Sequence, residues 1–169
     1  MILRRYLLGL SLALTCLGFA HAQTPAPQVK FTTSAGEFVI ELYPDKAPNT
    51  VENFLTYVRD GHYNGLIFHR VINNFMIQGG GYDARYMEKP TRPPIKHEGA
   101  EVKAKGGPTN TVGTIAMART NNPHSASSQF FINVNNNDFL NHSAPSGQGW
   151  GYVAFGKVVS GMEVVNKIK

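Results

Sequence analysis

Apolar and polar residues alternate with period two along VKFTTSAGEFVIEL, residues 29 to 42, where Phe38, Ile40 and Leu42 oppose Glu37, Val39 and Glu41. This predicts two strands joined at Ala35 and Gly36, a hairpin with one face to a core. The period then changes. Val51, Phe54, Leu55 and Val58 recur at helical spacing behind Pro48, Asn49 and Thr50, and Asp60-Gly61 supplies a stop, so an amphipathic helix is expected. FHRVINNFMIQGGG, Phe68 to Gly81, reads as two short strands around an Asn-Asn turn. It places Phe68, Arg70 and Ile72 on one face and His69 and Val71 on the other. A permanent cation therefore shares a strand face with large apolar side chains.

Beyond it, Tyr82 to Thr111 is rich in Gly, Pro and Lys and reads as one long loop. TIAMA (Thr114 to Ala118), QFFIN (Gln129 to Asn133) and YVAFGKVV (Tyr152 to Val159) read as further strands. Met162, Val165 and Ile168 return to helical intervals, and the run Asn133 to Asn137 reads as turn chemistry. Many short strands with frequent turns predict a mainly β fold, a closed antiparallel barrel with helices at its ends.

The N-terminus carries a different signal. A charged start (Arg4, Arg5), an apolar run from Tyr6 to Phe19 and the small-residue pattern Ala20-His21-Ala22 make residues 1–22 a secretory signal peptide. The run is shorter than the ~20 residues of a spanning helix, so no membrane attachment is expected after cleavage. Thr15 precedes Cys16, where a lipidated cysteine would want a small residue. Residues 23–28 form a flexible lead-in and residues 29–169 one domain; 147 of the 169 residues remain after cleavage, and the only cysteine leaves with the signal. Loss of Arg4 and Arg5 lowers the formal charge from +5 to +3, and no basic run supports nucleic-acid binding.

The candidate chemistry is reached largely by exclusion. His62, His69, His97, His124 and His142 are never three or four apart and no HExxH or paired-cysteine pattern exists, so no metal is expected. His69 reads as a hydrogen-bonded core histidine rather than a base. GxSxG is absent, and Gly79-Gly80-Gly81 matches no phosphate loop and reads as a sharp bend or close backbone approach. What remains is Arg70, Gln78 and Gln129 beside Phe75, Met76, Phe130, Phe131, Phe139 and Leu140. Residue type leaves two readings of Arg70: a cation that snorkels to water, or one held over a bound ligand.

FHRVINNFMIQGGG, GTIAMAR, SSQFFIN and YVAFGKVV, in that order, resemble the signature segments of cyclophilins, the peptidyl-prolyl cis-trans isomerases. The likeness runs from about Val29 to the C-terminus, and IAMART and QFFINV resemble the bacterial periplasmic branch. The resemblance implies an eight-stranded antiparallel barrel capped by two helices. It implies Arg70 as the catalytic arginine and Gln78 as its positioning partner. Phe75, Met76, Phe131 and Leu140 would line a proline pocket, with Ala118, Arg119 and Gln129 along the peptide groove and the Arg119 backbone holding the substrate. Phe139 stands where a tryptophan is typical in eukaryotic members and Tyr152 where a histidine is; the first departure implies weak cyclosporin binding. Trp150 lies outside the matched position.

The resemblance also implies a final strand after the second helix, whereas the sequence stops at Lys169, so a barrel one strand short is expected. The implied substrates are proline-containing peptides and unfolded exported proteins, met in the periplasm by a monomer that needs no cofactor. A proline-segment holdase and a nucleic-acid-binding barrel are the rival classes.

Overall fold

The structure, a computed structural model, describes residues 25–169. The proposed signal peptide and the start of the lead-in lie outside them. β1 (Gln28–Thr33) and β2 (Gly36–Leu42) form the expected hairpin, with Phe31 opposite Phe38 and the two rings stacked at 4.7 Å. Thr33 closes its turn, its hydroxyl donating to the Gly36 carbonyl at 2.8 Å and accepting from the Ala35 N–H at 3.1 Å. As the alternation predicts, Phe38, Ile40 and Leu42 are buried.

Helix α1 (Pro48–Arg59) lays Val51 and Phe54 on the sheet, with the Phe54 ring 5.3 Å from Phe155 and 5.8 Å from Phe130, and buries Tyr57 against His62 and Tyr63. Its N-terminus has no local side-chain cap, since Ala47 precedes Pro48. Glu98 supplies one from across the fold. Only 5% exposed, it accepts from the N–H of Thr50 at 2.7 Å, the N–H of Asn49 at 3.1 Å and the Thr50 hydroxyl at 2.6 Å. A carboxylate on the free N–H groups at the positive end of a helix is well placed electrostatically.

The remaining strands are β3 (Arg70–Ile72), β4 (Met76–Gly79), β5 (Thr114–Met117), β6 (Phe130–Asn133) and β7 (Ala154–Ser160). All pairings are antiparallel, and the order across the single seven-stranded sheet is β1-β2-β7-β5-β6-β4-β3. The sheet curls around its core with β1 and β3 as edges. A closed cylinder is the part of the expectation that its ladder does not contain among the described residues. The final helix, α3 (Met162–Ile168), packs on β2, and a side chain on Gly36 would meet Val164 at 2.9 Å. A third, unexpected helix, α2 (Gly99–Ala104), lies within the segment read as loop.

Gly79-Gly80-Gly81 is the close approach anticipated from its position after a strand. A Cβ on Gly80, at φ +91°, would lie 2.8 Å from the Ser128 carbonyl, and one on Gly81 would lie 2.6 Å from the Gln129 amide.

Replacing Glu98 leaves buried N–H groups at the start of α1 without an acceptor. Glu98→Ala is expected to lower unfolding stability by about 2 to 4 kcal/mol, read as a fall in urea midpoint at constant slope. An unchanged midpoint would refute the capping role.

Candidate active site

The short strands β4, β5 and β6 and the first three residues of β7 are mostly buried on both faces, which is why their sequences do not alternate. On the inner face Ile77, Ile115, Phe130, Ile132 and Phe155 join the main core; on the outer face Met76, Ala116, Phe131 and Ala154 form a second cluster with Phe75, Ala118, Leu140 and Tyr152 against it. The outer cluster is the floor of a surface hollow.

Register sets what lies beside what. Arg70 on β3 pairs with Gln78 on β4, Gln78 with Phe131 on β6, Phe131 with Ala116 on β5, and Ala116 with Ala154 on β7. Directly paired residues point to the same face, so one lateral row runs from a guanidinium into apolar surface. The Arg70 Nη1 donates to Gln78 Oε1 at 3.4 Å, and Gln78 Nε2 donates to Gln129 Oε1 at 3.0 Å. Among the described residues Arg70 enters no ion pair. The hollow has a volume of about 270 Å³ and is lined by Arg70, Phe75, Met76, Gln78, Ala118, Arg119, Phe131, Leu140 and Tyr152.

These nine include every expected site residue except two. Gln129 stands behind Gln78 and touches the hollow through it. Phe139 is 74% exposed and stacks on the outer side of Phe75 at 5.8 Å, on the rim rather than in the wall. Trp150 is not a lining residue; it packs among His97, His124 and His142, with ring centroids 5.3, 5.1 and 5.9 Å away.

The model of the family described as cyclophilin type peptidyl-prolyl cis-trans isomerase/CLD matches residues 28–169, a span that holds the whole sheet and every lining residue of the hollow. The chain belongs to the cyclophilin family. It is similar to peptidyl-prolyl cis-trans isomerase B of Escherichia coli K12, 59% identical over 141 residues that cover 83% of each chain. A peptidyl-prolyl cis-trans isomerase of Streptomyces antibioticus is 55% identical over 141 residues, covering 83% of this chain and 82% of its own. Among solved structures it is similar to a cyclophilin-type isomerase of Cryptosporidium parvum crystallised in the presence of the dipeptide Ala-Pro. That match has a TM-score of 0.65 at 27% identity and covers 84% of both chains. A cyclophilin of Hirschia baltica gives a TM-score of 0.68 at 26% identity over 84% of this chain and 67% of its own. Peptidyl-prolyl cis-trans isomerase activity follows from this membership.

What holds this cyclophilin's hollow open was not found by reading residue types. Asn110, Asn133 and Asn137 are buried. Asn133 donates to Thr114 Oγ1 at 3.0 Å and to Asn110 Oδ1 at 3.1 Å, and accepts from Asn137 Nδ2 at 2.7 Å. Asn137 Nδ2 also donates to the Phe75 carbonyl at 2.9 Å, while Asn110 Nδ2 reaches the carbonyls of Leu140 at 3.2 Å and Tyr152 at 3.1 Å. Three lining residues thus hang by their backbones from one amide network. Asn133 was read as the start of a turn. The signal that marks it otherwise is its position two residues after Phe131, on the pocket face of a buried strand.

Arg119 is fixed as well. Its Nε donates to the Gly151 carbonyl at 2.9 Å, its Nη1 to the Thr120 carbonyl at 2.8 Å, and its guanidinium lies 4.5 Å over the Tyr152 ring. Expectation placed it along the peptide groove with its backbone holding the substrate, and gave its guanidinium no role. His69 departs from expectation too: its Nδ1 is buried without a hydrogen-bond partner, and its ring packs against Tyr82 at 4.7 Å. Burial, and then the neighbouring Arg70 charge, holds this imidazole below its ordinary value. His97 is held down first by burial and then by Arg119, His142 and His124, although its bond to the Gly151 carbonyl opposes this. His62 is held down chiefly by burial.

Asn133→Ala leaves Asn110 Oδ1 without its donor and one of the two Asn137 Nδ2 hydrogens without its acceptor in the interior, at ~1 to 3 kcal/mol for each unpaired group. A loss of about 2 to 5 kcal/mol in urea unfolding is expected, and a loss below about 0.5 kcal/mol would refute the network's role. A pH prediction follows from the histidines. Their folded values lie below the unfolded one, so below about pH 6.5 the unfolded chain binds protons that the folded chain refuses. The stability they contribute is present above that pH and lost as the pH falls through the folded values. The urea midpoint should hold from about pH 7.5 to about 6.5 and then fall by about pH 5; a midpoint that is flat or rises over the lower range contradicts these assignments.

Proposed function

We propose that this cyclophilin accelerates X-Pro rotation in proteins exported to the periplasm, with Arg70 donating a hydrogen bond to the prolyl nitrogen. The observation that carries the reading is an arginine with no ion pair among the described residues, oriented by a neutral amide, at the edge of an apolar hollow without a carboxylate in its wall. An X-Pro bond resists rotation by ~18 to 20 kcal/mol because amide resonance must be lost. Twisting localises a lone pair on the nitrogen. A guanidinium over that nitrogen gains a bond only once the amide is twisted, which is the differential stabilisation that catalysis requires.

The magnitudes assign the remaining work. One charge-assisted hydrogen bond is worth ~1.5 to 3 kcal/mol, one to two decades of rate. The rest falls to the hollow, whose volume of about 270 Å³ suits one small ring better than a drug-sized ligand. Phe75, Met76, Phe131 and Leu140 would grip the proline ring while the acyl side turns, and would keep competing water from Arg70. The Arg70 to Gln78 distance of 3.4 Å is long for a hydrogen bond and would tighten around substrate. Export rests on the N-terminal pattern of residues 1–22, and weak cyclosporin binding on Phe139 standing at the rim.

Arg70→Ala is expected to lower kcat/KM on a proline peptide by about tenfold or more with the far-UV spectrum unchanged. Parental turnover by that variant would refute the assignment. Arg70→Lys should remain well below parental rate, because an ammonium cannot present one edge to Gln78 and another to substrate. Near-normal turnover there would reduce the requirement to charge alone.

A further inference from the structure

The hollow is electrostatically one-sided. Arg70 and Arg119 both line it and no acidic side chain does. Among the described residues neither arginine is in an ion pair. The nearest carboxylate along the chain is Asp138, two residues from Leu140, and it is exposed and pairs with no arginine. Arg70 has a proposed partner in the prolyl nitrogen. Arg119 has none, although its guanidinium is held rigidly by two backbone carbonyls and the Tyr152 ring.

Such a group differs from an ordinary surface arginine. Its Nε and one hydrogen of Nη1 are used by Gly151 and Thr120, and Nη2 and the other Nη1 hydrogen have no acceptor among the described residues. Because its rotamer is fixed before a ligand arrives, an ion pair formed there avoids much of the side-chain entropy that weakens flexible surface pairs. A second uncompensated cation in the same hollow adds to the local potential, and low-dielectric walls concentrate it.

We propose that Arg119 is a specificity-determining residue that makes this isomerase prefer prolines flanked by an acidic side chain and disfavour those flanked by a basic one. The inference rests on the hollow being where the peptide binds, as proposed above. Peptide carboxylates would take the free edge of the Arg119 guanidinium, and a lysine in the same place would meet two positive charges and no negative one.

The test is a matched set of peptides with Glu, Gln or Lys immediately before the proline, and a second set with the same residues immediately after it. Both kcat/KM and Kd are measured. The expected order on at least one flank is Glu, then Gln, then Lys, with a Glu-to-Lys contrast on the order of fivefold at low ionic strength. That contrast should shrink as salt is raised from about 0.02 M to about 0.5 M. Arg119→Met should reduce the contrast to about twofold or less, the residue left by Arg70; because the readout is a ratio within each variant, a general loss of activity does not disturb it. Arg119→Lys keeps the charge without the fork and should retain part of the contrast.

A parental contrast within about twofold on both flanks at low salt would overturn the proposal, as would an Arg119→Met enzyme with the parental contrast. If no peptide is turned over at all, the isomerase mechanism fails, and the Kd contrast still decides the role of Arg119.

Discussion

The amide of Asn133 lies fully buried on the pocket side of β6, where a strand residue would ordinarily be apolar, and it binds on three sides to Asn110, Thr114 and Asn137. Through Asn110 and Asn137 this group reaches the carbonyls of Phe75, Leu140 and Tyr152, which belong to two separate connections, β3 to β4 and β6 to β7. Loops that carry a binding wall are normally the mobile part of a fold. Here they are tied by side-chain amides to the strand that forms the floor. Buried polar groups with satisfied partners specify one arrangement, because any other leaves an amide unpaired in a medium of low dielectric.

The floor has an equally simple origin. A strand offers its side chains alternately to two faces, and β4, β5, β6 and the start of β7 are mostly buried on both. The curled sheet covers its inner face with α1 and α3 and leaves the outer face of β4, β5, β6 and β7 as a shallow apolar surface. The row Arg70, Gln78, Phe131, Ala116, Ala154 crosses it in register. A slip of one residue in the β3–β4 pairing would turn Arg70 to the other side, which would place a guanidinium in the core. The hydrophobic pattern that stabilises the fold therefore also fixes the cation at the edge of the hollow.

Period-two and helical spacing alone mark the hairpin, α1 and α3, because each has one wet and one dry face, whereas the pair β3 and β4 is marked by the Asn73-Asn74 turn between two short apolar runs. The site strands gave their positions but not their division of labour: in FFIN both faces are dry, and sequence cannot say that Phe130 faces the core and Phe131 the hollow. The cap on α1 was invisible for another reason. Glu98 is 48 residues from Thr50, and no local motif encodes so distant a contact. Helix α2 went unread because six residues give too few turns for a period to show. The asparagines were read by their commonest habit, the turn, and His69 by that of a bonded core residue; both are decided by neighbours that only folding supplies. The identities of Arg70, Gln78, Phe75 and Met76 as a group came from resemblance to a family, not from spacing.

The choice of neutral partners around Arg70 has a physical rationale. Gln78 orients the guanidinium through one acceptor oxygen and is itself held by Gln129, so direction is transmitted without any opposing charge. A carboxylate in the place of Gln78 would orient it as well, yet at ~4 Å and an effective dielectric of 20 it would attract the cation by about 4 kcal/mol. That attraction, before solvent screening reduces it, would compete for the same guanidinium with the ~1.5 to 3 kcal/mol available from a hydrogen bond to a twisted prolyl nitrogen. An amide binds weakly enough to yield an edge and firmly enough to aim it. The Arg70 charge left without a carboxylate beside it is also felt by the half-buried His69, whose basicity is lowered first by burial and then by that guanidinium.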